Sequence, residues 1–160
     1  MTCGERGSPV AAEALDLELY QLACTFAASQ EFERVAARLP RVRALRHTFE
    51  LSEAARRLIA VAVTVRSNMD ASGSSSRTAG EAVVGTLVPD LAVPAQTEPL
   101  GLREACNKVI HADTVDFRPS TDSPDSPLES VLHLFGTKGK QEWRAELDVL
   151  AFVVAAYHLA

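Results

Sequence analysis

The amino-acid sequence predicts a mainly α fold, an antiparallel bundle of four to five helices with a small antiparallel β hairpin inserted before the last helix. Apolar residues recur at spacings of three and four along several segments, which is the period of a helix that faces a core. Period-two alternation is clearest within residues 113–144, which we assign to the β insertion. The chain has 160 residues, 47% of them hydrophobic. Because this is apolar material for one core, we expect residues 1–160 to form a single domain.

The first predicted helix has a clear start, because Ser8 can cap it and Pro9 fits the first helical position. Its apolar stripe consists of Leu15, Leu19, Leu22 and Phe26. After this stripe the apolar positions move to another face. We therefore predict a break near Ser29 and a short second helix that stops at Pro40.

The segment Arg41–His47 has no strong period and is interpreted as a basic connector. The longest predicted helix follows, with the stripe Leu51, Ala55, Leu58, Ala62, Val65 and Met69. Within it, Ile59–Val65 also alternates as a strand would. The longer helical period favours a helix there.

Residues 71–99 are predicted to be a flexible loop that contains serines, glycines and prolines. Pro99 is expected to open a further helix at Leu100–Ala112. This helix has an apolar face on one side and a polar row on the other.

The β insertion, residues 113–144, begins with a short strand at Thr114–Arg118. A second strand at Ser130–Phe135, a turn at Gly136–Lys140 and a returning strand at Gln141–Arg144 would complete it. The last helix is predicted at Ala145–Leu159. Its inner face is expected to carry Leu147, Leu150, Ala151, Val154 and His158.

The charge pattern argues against a basic field over the whole protein, because the formal net charge is −5. Between Arg34 and Arg66, however, eight arginines face only two acids, Glu50 and Glu53. Such a stretch is typical either of a solvated helix face or of a surface for RNA, and the sequence leaves both open.

The cysteines are three in number, without close spacing, which is typical of a reducing compartment and favours a cytoplasmic protein. Cys24 and Cys106 lie on or beside apolar faces, so we expect buried, unreactive thiols. The apolar runs are too short to cross a bilayer, and we expect no membrane partner.

The candidate chemistry lies on the predicted helix Leu100–Ala112, where Arg103, Asn107 and His111 are spaced four apart. Residues at this spacing share one helix face. His111 could act as general acid or base, and Arg103 could bind a phosphate with Asn107 in support. An ordinary polar helix face is the alternative. The histidines show no metal-ligand spacing, and we expect no metal and no cofactor.

The same segment, LREACNKVIHA, resembles the polar helix of HEPN-type domains. In this sequence seven residues separate Arg103 from His111, more than in the family signature, and Cys106 precedes Asn107 where the family has its arginine. The resemblance implies a dimeric helical domain of bacterial defence or toxin–antitoxin systems. It also implies a metal-independent endoribonuclease in which His111 transfers the proton.

The alternative function is a non-catalytic, dimeric protein-interaction module that uses a helical stripe or the edge of the β hairpin. Under either hypothesis we expect a homodimer, with RNA or a protein as the partner. The negative net charge favours the module, and the polar row on one helix favours the enzyme.

Overall fold

The computed structural model describes residues 9–71 and 81–159, in which four helices and five strands are present. The helices are α1 (Pro9–Ala36), α2 (Pro40–Ala71), α3 (Leu102–Ile110) and α4 (Val149–Tyr157). The strands are β1 (Val83–Val88), β2 (Glu98–Gly101), β3 (Thr114–Asp116), β4 (Val131–Lys138) and β5 (Gln141–Asp148). No helix in these two ranges has both the length and the apolar character needed to cross a bilayer.

The helices α1 and α2 form a long antiparallel hairpin. The predicted stripe of α1 is buried, and so is that of α2 from Leu58 onward. The predicted break near Ser29 is wrong, since α1 continues to Ala36. The basic connector is also wrong, because Pro40 opens α2 and Arg41–His47 forms its first turns. Ile59–Val65 is helical, which confirms the prediction; the proposed cap Ser8 lies outside the described residues.

The five strands form one antiparallel sheet in the order β2-β1-β5-β4-β3. In β5 the side chains of Trp143, Ala145 and Leu147 point into the core, while the intervening residues are partly exposed. This period-two burial is the pattern of a sheet with one covered face. The hairpin between β4 and β5 turns at Gly139, whose φ of 66° suits glycine.

The prediction of a mainly helical bundle with a small β hairpin is therefore wrong, because the β part is a five-stranded sheet. Two of its strands, β1 and β2, lie in the segment interpreted as the loop 71–99, of which residues 72–80 lie outside the described part. The three prolines suggested irregular structure there. Yet Pro99 pairs with Thr86 in β2, an edge strand, where a missing N–H is tolerated.

The two short helices begin later than predicted, because strand pairing takes up the residues before them. Leu100 and Gly101 belong to β2, so α3 begins at Leu102. The strand β5 runs to Asp148, whose side chain caps α4 by accepting from the backbone N–H of Ala151 at 3.0 Å. The predicted inner face of α4 is shifted, since the helix buries Val149, Phe152 and Ala156 and exposes Leu150 and Val154.

One apolar core joins the sheet to the helices. The helix α3 packs against α2, and α4 packs against α1, so the two short helices lie between the long hairpin and the sheet. Trp143 is buried in this core with the Nζ of Lys108 4.1 Å from its ring centroid. Opposite it, Gly136 leaves room for the indole, because a Cβ at this position would overlap the ring.

Candidate functional site

The structure brings the predicted residues Arg103 and Asn107 together with residues of α2. Nη1 and Nη2 of Arg103 both donate to Oδ1 of Asp70, at 2.8 and 2.6 Å. Nε of Arg66 donates to Oδ1 of Asn107 at 2.9 Å, and Arg66 also pairs with Asp70. The amide of Asn107 donates in turn to Glu104 at 3.1 Å. These five residues form the α2–α3 cluster.

The third predicted residue, His111, lies just past the end of α3 and is exposed. Its backbone N–H donates to the carbonyl of Asn107 at 3.0 Å. Within residues 9–71 and 81–159, its imidazole has no hydrogen bond or ion pair. The structure therefore places His111 one turn beyond Asn107, without a described group that would orient its ring for proton transfer.

The thiols near these residues differ from each other. Cys106 on α3 is buried, and this burial raises the pKa of its thiol to about 12. It is therefore protonated near neutral pH and is unsuited to nucleophilic attack. The prediction of a buried thiol is wrong for Cys24, which is exposed on the outer side of α1.

Two of the three remaining histidines, His47 and His133, each lie beside one acidic residue. Nε2 of His47 lies 2.7 Å from Oδ1 of Asp125, and Nε2 of His133 lies 3.8 Å from Oε1 of Glu146 on the open face of the sheet. In the part of the chain that the structure describes, no group of three histidine, cysteine or acidic residues is placed to hold a metal ion.

Sequence reasoning missed a second polar cluster, which is buried between α1, α2 and the β3–β4 loop. Glu50 is at its centre. One oxygen of Glu50 accepts from Ser29 at 2.6 Å, and the other accepts from Arg46 at 3.0 Å and from Arg118 at 2.8 Å. We call Ser29, Arg46, Glu50 and Arg118 the buried clamp.

The buried clamp fastens the β3–β4 loop to the helical hairpin. Arg46 donates to the carbonyls of Asp125 and Ser126 at 2.7 and 2.6 Å, and Arg118 donates to the same carbonyl of Ser126. The hydroxyl of Ser29 accepts from the backbone N–H of Leu128 at 2.8 Å. Only the spacing of four between Arg46 and Glu50 was visible in the sequence.

Above the buried clamp, a cleft of about 390 Å³ opens between α1 and α2 near the turn of the hairpin. Its walls are apolar and its exposed rim carries Phe32, Leu45 and Phe49, each with about half of its surface exposed. The lining residues are Thr25, Ala28, Ser29, Phe32, Leu45, Arg46, Phe49, Glu50 and Glu53. Of the apolar residues that lie on another face after Phe26, Phe32 lines this cleft.

The arginines of the basic stretch fall into two groups. Most are paired: Arg34 with Glu31, Arg56 with Glu53, and Arg57 with Glu18 and Glu53, besides Arg46 and Arg66 above. Arg38, Arg41 and Arg43, at the turn of the hairpin, form no ion pair with any described residue.

Comparison of the chain with protein-family models, with curated proteins and with solved structures finds no match.

Proposed function

We propose that this protein is a cytoplasmic, non-catalytic protein-interaction module that binds through the cleft between α1 and α2. The observation that carries this proposal is the exposure of Phe32, Leu45 and Phe49 side by side on one surface. A contiguous exposed apolar patch is typical of protein contact surfaces, where aromatic residues supply much of the binding energy.

The polar groups of the cleft favour a protein partner over a small molecule. A small-molecule site usually presents a few polar groups that orient the ligand. Here Ser29, Arg46 and Glu50 lie at the floor of the cleft, but their hydrogen bonds go to one another and to the β3–β4 loop. Apart from Thr25 and the partly exposed carboxylate of Glu53, the surface left for a ligand is apolar, as it is at the centre of a protein interface.

The state of the α2–α3 cluster also supports a non-catalytic role. Arg103 is already bound by Asp70, and Asn107 by Arg66, so neither side chain is free to hold a phosphate without first breaking these contacts. The exposed ring of His111 would have to act without an orienting partner among the described residues.

The proposal is tested by placing a photo-crosslinking amino acid at Phe49 and expressing the protein in its native cells. A matched control carries the same group at Val63, which is also exposed on α2 but lies about 21 Å further along the helix. We expect a discrete crosslinked protein from position 49 and none from position 63. Absence of any adduct at position 49, with a folded and expressed protein, would contradict the module.

A second candidate function is the metal-independent RNase that the HEPN resemblance implies. One observation favours it: a second guanidinium, that of Arg66, lies in the α2–α3 cluster together with Arg103, which is on the same helix that His111 follows. Two arginines and a histidine are residue types suited to phosphodiester cleavage, if RNA displaces Asp70.

RNA cleavage by the purified protein in a chelating buffer tests this second candidate. The variant His111→Ala is compared with His158→Ala, which removes a histidine past the end of α4. Cleavage that disappears only in His111→Ala would support the RNase. No cleavage, or equal cleavage by all three proteins, would exclude His111 as a catalyst.

A further inference from the structure

We infer that the partner bound in the cleft is a second copy of this chain, packed antiparallel to the first about a two-fold axis. This rests on the proposed function, because it names the occupant of the same cleft. The evidence is the order of charged and apolar residues along the exposed side of α2.

Four residues of α2 follow one another at a spacing of four, in the order Arg41, Leu45, Phe49, Glu53. Residues four apart on a helix are neighbours on one face, so these side chains form a row about 18 Å long. Leu45, Phe49 and Glu53 all line the cleft. The row is therefore basic at the end near the hairpin turn, apolar in the middle and acidic at the other end.

A row with this order is complementary to itself when one copy is reversed. In a two-fold interface, if residue i contacts residue j, then j also contacts i. An axis midway between Leu45 and Phe49 would place Leu45 of each copy against Phe49 of the other. The same axis would place Arg41 of each copy against Glu53 of the other. A parallel arrangement would instead oppose like charges, which is unfavourable.

The charges that surround the row are consistent with this arrangement. Arg41 has no ion-pair partner among the described residues, whereas Glu53 is held by Arg56 at 3.1 Å and by Arg57 at 3.3 Å. Arg57 is shared with Glu18, and 43% of the Glu53 side chain remains exposed. A carboxylate accepts several hydrogen bonds, so Glu53 can receive Arg41 of a second copy without releasing Arg56.

The opposite wall of the cleft adds apolar area to the same contact. On α1, the small side chain of Ala28 lies one turn before the bulky ring of Phe32, and both residues line the cleft. Two helical hairpins that meet along these walls would form a four-helix bundle, a packing in which apolar faces are covered on all sides.

The experiment compares the mass in solution of the wild-type protein with two charge reversals, Arg41→Glu and Glu53→Arg, by sedimentation equilibrium. We expect a wild-type dimer, and self-association weakened by about ten-fold or more in each variant, because each creates two like-charge contacts. An equimolar mixture of the two variants should form a heterodimer, since both of its contacts are then between opposite charges. The double variant should again form a homodimer.

The control variant is Arg43→Glu, which makes the same charge change on the other side of α2, where Arg43 lies near Ala36 and His47. It should leave the dimer unchanged, and thermal unfolding should verify that every variant is folded. A wild-type monomer, or single reversals that do not weaken the dimer, would overturn the inference, as would a mixture that fails to associate.

The crosslinking experiment at position 49 distinguishes failure of the proposed dimer from failure of the proposed interaction module. A monomeric wild-type protein with an adduct to a different protein would leave the module standing and exclude the second copy. A monomer with no adduct at all would exclude both.

Discussion

The buried clamp and the α2–α3 cluster are built alike but lie in different surroundings. Each joins two arginines to one carboxylate of α2: Arg46 and Arg118 to Glu50, and Arg66 and Arg103 to Asp70. In the clamp, the side chains of Arg46 and Glu50 are 2% and 9% exposed. In the cluster, Asp70 is 53% exposed.

This difference in burial decides what each set of residues does. Inside the protein, an arginine or carboxylate has lost its water, and it must keep every protein partner. The clamp meets this requirement, because its groups also bind backbone groups of the β3–β4 loop. At the surface, water replaces a lost partner, so breaking the same kind of ion pair costs little free energy. The clamp therefore holds the fold, whereas the contacts of the α2–α3 cluster contribute little to its stability.

The largest expected effect is that of Glu50→Ala. This change leaves the guanidinium groups of Arg46 and Arg118 buried without their carboxylate. Breaking a buried pair by removing one partner costs about 3–5 kcal/mol. We expect the free energy of unfolding, measured by urea denaturation, to fall by that amount. A loss below about 1 kcal/mol would place Glu50 in the same class as exposed acids.

The difference between these two clusters also marks what the sequence can and cannot predict. The stripe of α1, the stripe of α2 from Leu58 onward and the shared face of Arg103 and Asn107 follow from local periodicity, and the structure confirms them. Their partners come from elsewhere in the chain. Asp70 reaches Arg103 from another helix, and Arg118 reaches Glu50 across 68 positions.

The same reason explains the missed strands. The strand β1 has no continuous alternation, because Gly85 lies at an irregularity of its pairing with β2. It is a strand because β2 and β5 pair with it on both sides, and that pairing depends on distant sequence. The prolines around β2 then suggested a loop, since their tolerance at a sheet edge depends on knowing where the edge is.

A medium effect is expected for Ser29→Ala, which removes one hydroxyl from the clamp. The backbone N–H of Leu128 and one oxygen of Glu50 would each lose a partner in a buried place. An unsatisfied buried group costs about 1–3 kcal/mol. Urea denaturation should show a loss in this range, and Ser52→Ala, at an exposed serine of α2, should show almost none. Equal effects of the two changes would contradict the stabilising role that we assign to Ser29 in the buried clamp.

A small effect is expected for Asp70→Asn in the α2–α3 cluster. Arg66 and Arg103 lose a charged partner but remain in contact with water. An exposed pair of this kind contributes about 0–1 kcal/mol. The loss should shrink between about 0.05 and about 1 M NaCl, because salt screens exposed charges. The effect of Glu50→Ala should change little over the same range of salt. An equal salt dependence of the two variants would contradict the conclusion that burial distinguishes the clamp from the α2–α3 cluster.

The smallest effect concerns the pair of Glu53 with Arg56, in which both side chains are largely exposed. The hydrogen bond from Arg56 lowers the pKa of Glu53 from its usual value. Because this pKa is lower in the folded protein than in the unfolded chain, the pair stabilises the fold above the unfolded pKa, and its contribution is lost as the pH falls through the folded pKa.

Arg56→Ala should therefore raise the pKa of Glu53 towards its usual value, as measured by an NMR titration of its carboxyl group. Glu31, whose pKa is lowered by the hydrogen bond from Arg34, serves as the control and should not change. An unchanged pKa of Glu53 in the variant would mean that water, and not Arg56, solvates this carboxylate. The exposed ion pairs would then contribute almost nothing to the free energy of unfolding, in contrast to the buried clamp.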